Sequence, residues 1–183
     1  MSRVTKLVVL SQLSFLILMA ICVAILPHFL FTHNEGGMSN YGVHDKTVVF
    51  YTLALVSSAS FLLLAVRELP KRSDYTRLRM IFRLTACSLM LVLLTTYPYK
   101  HSDFFDNLHT AANIVAFLFQ VIAGGWIALG FQRTRTNILL FCFQLVTFAL
   151  TLLTFFGALH ILFIAQILTV LSFGLLLVSS TKD

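Results

Sequence analysis

His101 to Gly125 reads HSDFFDNLHTAANIVAFLFQVIAGG, and the fold follows from how this stretch is interpreted. It opens as a short polar segment carrying Asp103, Asp106 and His109, then becomes an apolar run long enough to enter a bilayer. At about 100° per residue, His109, Asn113, Gln120 and Gly124 fall on one narrow stripe of a helix. A stripe facing hydrocarbon would not hold an imidazole and two amides, because each unpaired polar group there costs roughly 2–7 kcal/mol. The stripe is therefore expected to face other helices or a wet cavity.

The rest of the chain has the same character. Of its 183 residues 58% are hydrophobic and 11% charged, whereas soluble domains carry about 25% charged residues. The mean hydropathy is +0.91. Long apolar runs with so few charges describe a polytopic membrane protein, all-α, in a single domain covering residues 1–183. The net charge of +6 does not point to nucleic acid, because the basic residues sit in short loops beside apolar runs, where they set topology. Cys22, Cys87 and Cys142 all lie inside apolar runs and form no CxxC pair, so they read as small packing residues.

Six spans are expected, at about 7–31, 47–66, 80–97, 108–131, 137–156 and 159–180. The first follows Arg3 and Lys6, is too long for a signal-peptide core, and should bend or end at Pro27. A glycine-rich polar loop, His33 to Lys46, leads to the second, on which Thr47, Tyr51 and Ser58 share a face. The loop of Arg67, Lys71, Arg72, Arg77, Arg79 and Arg83 is the most basic in the chain, and Arg83, one turn inside the third span, can snorkel to headgroups. Tyr97-Pro98-Tyr99 reads as an interfacial anchor. Ala112, Ala116 and Gly124-Gly125 allow close helix contact on the fourth span. The apolar stretch 137–180 is too long for one crossing of a core about 30 Å thick, so Gly157-Ala158 is expected to divide it. Gln144, Thr147, Thr151 and Thr154 line one face of the fifth span, while Gln166, Thr169 and Ser172 look scattered around the sixth.

Eleven of the thirteen Lys and Arg fall on one side of this topology; only Lys46 and Lys100 fall on the other. The positive-inside rule then puts both termini in the cytoplasm, as in a bacterial inner-membrane protein. His28, His33, His44, His101, His109 and His160 all gather at the outer face, with Glu35, Asp45, Asp103 and Asp106. This set allows a divalent metal, for which His44, Asp106, His109 and His160 are the candidates, or a proton relay, a ligand pocket, or a hydrated polar rim. No HxxxH, HExxH or HxH spacing is present, so a metal site would have to be assembled from separate helix ends. Ser39, His44 and Asp45 are too close in sequence to make a convincing hydrolytic triad. The spans carry no carboxylate at mid-depth, which disfavours coupling to protons or cations.

MSNYG (Met38 to Gly42), outside the first span, and DNLHTAANIVAFLF (Asp106 to Phe119), opening the fourth, carry a family resemblance. The pairing resembles the bacterial six-span family called domain of unknown function nine-nine-eight. More distantly it is similar to DRAM- and FRAG-type membrane proteins, which share an outer-loop Ser-(Asp/Asn)-x-Gly element and a His opening the fourth span. The resemblance implies a six-helix bundle with a polar site on the non-cytoplasmic side, with Ser39, Asn40, Gly42 and His109 as family positions. Asn40 stands where an acidic residue is common, so an acid role does not carry over to it.

These readings converge on a pocket of Ser39, Asn40, Gly42, Asp106, His109, Asn113 and Gln120 for a lipid headgroup or small polar ligand. Alternatives are a metal-dependent lipid hydrolase and a small transporter or channel subunit, so whether the protein is an enzyme stays open. A divalent metal is the one cofactor considered. Membrane lipid and a small polar ligand are the expected partners, with a homo-oligomer compatible and nucleic acid excluded. Reporter domains fused after residue 70 and after residue 103 should report opposite sides of the membrane. The same side for both would overturn the threading.

Overall fold

Ser2 starts the first helix: its Oγ accepts a hydrogen bond from the Thr5 N–H at 3.1 Å, satisfying one of the free donors of the first turn. In the computed structural model, which describes residues 1–30, 37–98, 102–156 and 159–181, α1 therefore spans Arg3–Ile25. Pro27 cannot continue it, and Pro27–Leu30 is a short 3-10 turn, so the span ends sooner than the expected residue 31. A second 3-10 turn, Gly37–Gly42, precedes α2, Val48–Glu68. Ser73–Tyr75 leads into α3, Thr76–Thr96, which begins four residues earlier than expected.

The helix that opened the sequence analysis, α4, covers Asp103–Gly125 and runs on as a π-helical segment, Trp126–Phe131. It begins five residues before the expected position 108. Ser102 caps it, accepting from Phe105 N–H at 3.5 Å, and Asp103 and Asp106 place negative charge at the positive end of the helix dipole. Helix α5, Arg135–Phe155, is capped by Thr134, and α6 is Leu162–Ser179. All six helices are long and apolar enough to cross a membrane, and no strand occurs among the described residues. The expected division at Gly157-Ala158 lies outside them.

Consecutive helices pack as neighbours, α1 on α2, α2 on α3, α3 on α4 and α5 on α6, while α6 also reaches back to α1 and α4. Val8, Leu62, Phe82, Ile127 and Leu176 fill the core at the end holding the chain termini. Phe15, Met19, Tyr41, Tyr51 and Phe163 fill it at the other. The polar faces turn inward as their spacing requires: Thr47, Tyr51 and Ser58 on α2 and Gln144, Thr147, Thr151 and Thr154 on α5 are all buried. Gln166, Thr169 and Ser172 are buried as well, so α6 has one polar flank and not the scatter expected. Among the cysteines only Cys22 is buried; Cys87 and Cys142 lie on the outer surface, which corrects their reading as packing residues.

Gly124 packs against side chains of α5 and α6. A Cβ there would run into Gln144 Oε1 and come within 3.2 Å of Leu176 Cδ1. At Gly130 the nearest atom to such a Cβ is 3.4 Å away, on the Trp126 ring. Gly124→Ala should therefore destabilise the bundle by about 1–3 kcal/mol in detergent unfolding, the usual cost of overpacking. Gly130→Ala should change little. Equal effects from the two substitutions would contradict this packing.

Candidate functional site

His109 projects from the second turn of α4 and is 3% exposed. Its Nδ1 lies 3.0 Å from Thr95 Oγ1 at the end of α3, and its Nε2 lies 2.7 Å from Ser39 Oγ in the Gly37–Gly42 turn. Asn113, one turn further along α4, places its Nδ2 2.9 Å from the same Nε2 and 3.0 Å from the His109 carbonyl oxygen.

One set of hydrogen-bond directions satisfies all of these contacts. The Thr95 hydroxyl lies 3.0 Å from both the Leu91 and the Val92 carbonyl, and with its proton shared between them its oxygen accepts from His109. In that arrangement Nδ1 of His109 carries the proton. The Asn113 amide group donates toward Nε2, which requires a bare lone pair there, in agreement. Ser39 Oγ–H therefore donates to Nε2. The imidazole is neutral and held on both nitrogens. The Ser39–His109 contact has the bond order of a nucleophile–base pair, yet the far nitrogen rests on a hydroxyl where a serine hydrolase has a carboxylate.

Residues 37–42 are tied down from several sides. Gly37, at φ 51°, adopts a left-handed conformation, and the next N–H, of Met38, donates to Gln166 Oε1 on α6 at 2.9 Å. Gly42 packs where a Cβ would lie 2.7 Å from the Tyr51 ring. Tyr41 Oη donates to the Leu26 carbonyl at 3.2 Å, and Thr47 Oγ1 donates to the Tyr41 carbonyl at 2.8 Å. Burial pushes the Tyr41 phenol up to about 12, keeping it a neutral donor. Tyr51 Oη sits 3.4 Å from Thr96 Oγ1 and also interacts with Ser39. The turn forms a plug over this end of the bundle.

Below the plug lies a cavity of about 40 Å³. Ser39, Asn113, Gln120 and Gln166 give it polar edges, and Phe15, Leu55 and Phe117 are among its apolar walls. Gln120 is 5% exposed and its Oε1 has no hydrogen-bond partner. The Gln144 amide donates to the Gln120 backbone oxygen at 3.0 Å, and Gln144 Oε1 is also without a partner.

The expected site residues are thus brought together unevenly. Ser39, His109 and Asn113 form one network, and Gln120 lines the cavity beside it. Asn40 and Gly42 are buried in the plug. Asp106 is half-buried at the start of α4, where its charge suits the helix end. The described histidines do not cluster. His28 and His160 are exposed, and the His44 ring packs beside Phe29 with centroids 5.9 Å apart. His33 and His101 lie outside the described residues. Among the described residues no three His, Cys, Asp or Glu side chains are arranged to hold a metal ion, so the set His44, Asp106, His109 and His160 is not assembled. Ser39 pairs with His109 and not with His44. Thr95 and Gln166 escaped the sequence reading as site residues, because a hydroxyl or amide on an apolar helix is most often satisfied by its own backbone or neighbour.

The six apolar helices fit an integral membrane protein of the helical-bundle class, with its polar network enclosed near one end. Comparison with protein families, with curated proteins and with solved structures finds no match to this chain. Imidazole ¹⁵N NMR of the protein in nanodiscs at neutral pH should show His109 protonated on Nδ1 and bare on Nε2. Thr95→Val should perturb the Nδ1 resonance most. A ring protonated on Nε2 would overturn the directions given for the Thr95–His109 and Ser39–His109 bonds.

Proposed function

We propose that the protein is an integral membrane protein that binds a small, neutral, hydrogen-bond-donating ligand in the cavity between the 37–42 plug and Gln120. One observation carries this reading: Gln120 lines the cavity, and its buried carboxamide oxygen has no partner. An orphaned acceptor in a low-dielectric interior costs about 1–3 kcal/mol, and a bound donor removes that cost. Size limits the ligand. At roughly 10–15 Å³ per water, the cavity takes about three waters or one molecule of similar bulk. A lipid headgroup needs far more room, so of the two ligand classes expected from the sequence the small polar one is preferred.

Charge limits it too. The neutral imidazole and the amides offer no compensating charge to an ion, and burying an uncompensated ion costs several kcal/mol or more. The distribution of Lys and Arg supports placing this end of the bundle on the non-cytoplasmic side, with both termini inside, as in a bacterial inner membrane. Membership of the nine-nine-eight family, with its Ser-x-x-Gly and His elements at Ser39, Gly42 and His109, belongs to the same proposal.

Titration with urea or methanol, followed by NMR of side-chain amides in nanodiscs, tests the reading. Saturable shifts at Gln120 and Asn113, lost in Gln120→Leu, are expected. Shifts that grow linearly and persist in Gln120→Leu would sink it.

A further inference from the structure

The end of the bundle opposite the plug carries a second feature, on the outer face of α3. Arg79 and Arg83 stand four residues apart on one helix, which puts their side chains on the same face, and Thr76 lies one turn before them. Together with Met80 and Leu84 these residues line a concavity of about 390 Å³. Arg79 is half-buried and donates from Nη2 to the Pro70 carbonyl, which holds its guanidinium at the helix start. Arg83 is exposed within the apolar span Thr76–Thr96. Among the side chains described, the ion pair within 4.0 Å is Arg3–Glu68.

An exposed guanidinium on a membrane-spanning helix is costly in hydrocarbon unless an anion or water meets it. At headgroup depth the abundant anion is the lipid phosphodiester, whose oxygens match the fork of an arginine. The surface below the arginines fits the rest of such a molecule. Leu84, Leu91 and Leu94 are 44%, 45% and 68% exposed, an apolar strip on α3 for an acyl chain.

We propose that Arg79 and Arg83 hold the phosphodiester of an anionic phospholipid, with Thr76 Oγ1 beside it and the acyl chain along Leu84 and Leu91. The site is separate from the cavity under the plug and does not depend on what that cavity binds.

Native mass spectrometry of the full chain, loaded with phosphatidylglycerol or phosphatidylcholine of matched chains, tests it. The protein should retain phosphatidylglycerol in preference. Arg79→Gln/Arg83→Gln should lower that retention by about tenfold, whereas Arg67→Gln/Lys71→Gln, which removes equal charge from the same end of the bundle, should change it less than about twofold. Equal retention of the two lipids would overturn the proposal. So would equal losses in the two double variants, which would mean diffuse charge attraction, or displacement of the lipid by inorganic phosphate, which would make the free anion the ligand. Arg83→Gln alone changes one exposed side chain, so should the double variant misfold it carries the same comparison, with a smaller loss expected.

Discussion

In a low-dielectric interior an unpaired polar group is costly, and that constraint shapes how the helices of this bundle meet. Most of the hydroxyls meet it locally. Thr52, Thr85, Thr96, Thr151 and Thr169 each donate to the carbonyl four residues back on their own helix. Such groups cost little and specify little. The groups that cannot bond locally are the ones that join helices. Ser11 reaches Ser58 at 2.8 Å between α1 and α2, Gln144 reaches the α4 backbone, and Gln166 takes the Met38 N–H. Each such tie is worth about 0.6–2 kcal/mol in a membrane, which is modest singly but selects one register for each helix pair.

The amide ties also explain where glycine is required. Gly37, Gly124 and Gly174 each sit against the side-chain oxygen of a glutamine, respectively Gln166, Gln144 and Gln12. A glutamine lying flat on a neighbouring helix or turn takes up the depth of a Cβ. Small residues here make room for an amide as well as for the backbone of a partner helix. The consequence is a bundle whose polar layers and close contacts coincide.

Much of this was legible in the sequence, for reasons that can be traced to particular residues. The α4 stripe of His109, Gln120 and Gly124 is buried because helical periodicity alone puts these residues on one side of a run whose other side is apolar. Helix starts were less legible. Ser102 and Thr134 cap their helices through side-chain bonds, so α4 and α5 extend into polar sequence that hydropathy assigns to loops. The site itself was read in part. Ser39 and His109 are 70 residues apart, and no local pattern states that they meet. Counting histidines at one face overestimated their convergence, because topology fixes the end of the bundle where a side chain sits but not whether it turns inward. The α6 flank was missed for a related reason: Gln166, Thr169 and Ser172 are each spaced three apart, and their drift around the helix looks like scatter until α1, α4 and α5 close over it.

The two ends of the molecule handle polarity in opposite ways, and a single free-energy term accounts for both. At the plug the polar groups turn inward, and they are neutral: an imidazole with one proton, hydroxyls and amides. Charge there would have to be desolvated, and the network offers only dipoles in return. Non-helical backbone is tolerated in the plug because residues 37–42 are enclosed by protein, with Gln166, Tyr51 and Thr47 holding them. At the other end the groups are cationic, and those that flank α3 turn outward. Arg77 lies 6.0 Å from the centre of the Trp126 ring, and Arg83 extends into the surroundings. A guanidinium keeps its water or finds a phosphate at the boundary, neither of which the interior can supply. A chain with so few charges can therefore keep neutral polar groups enclosed at one end and cationic groups at the surface of the other.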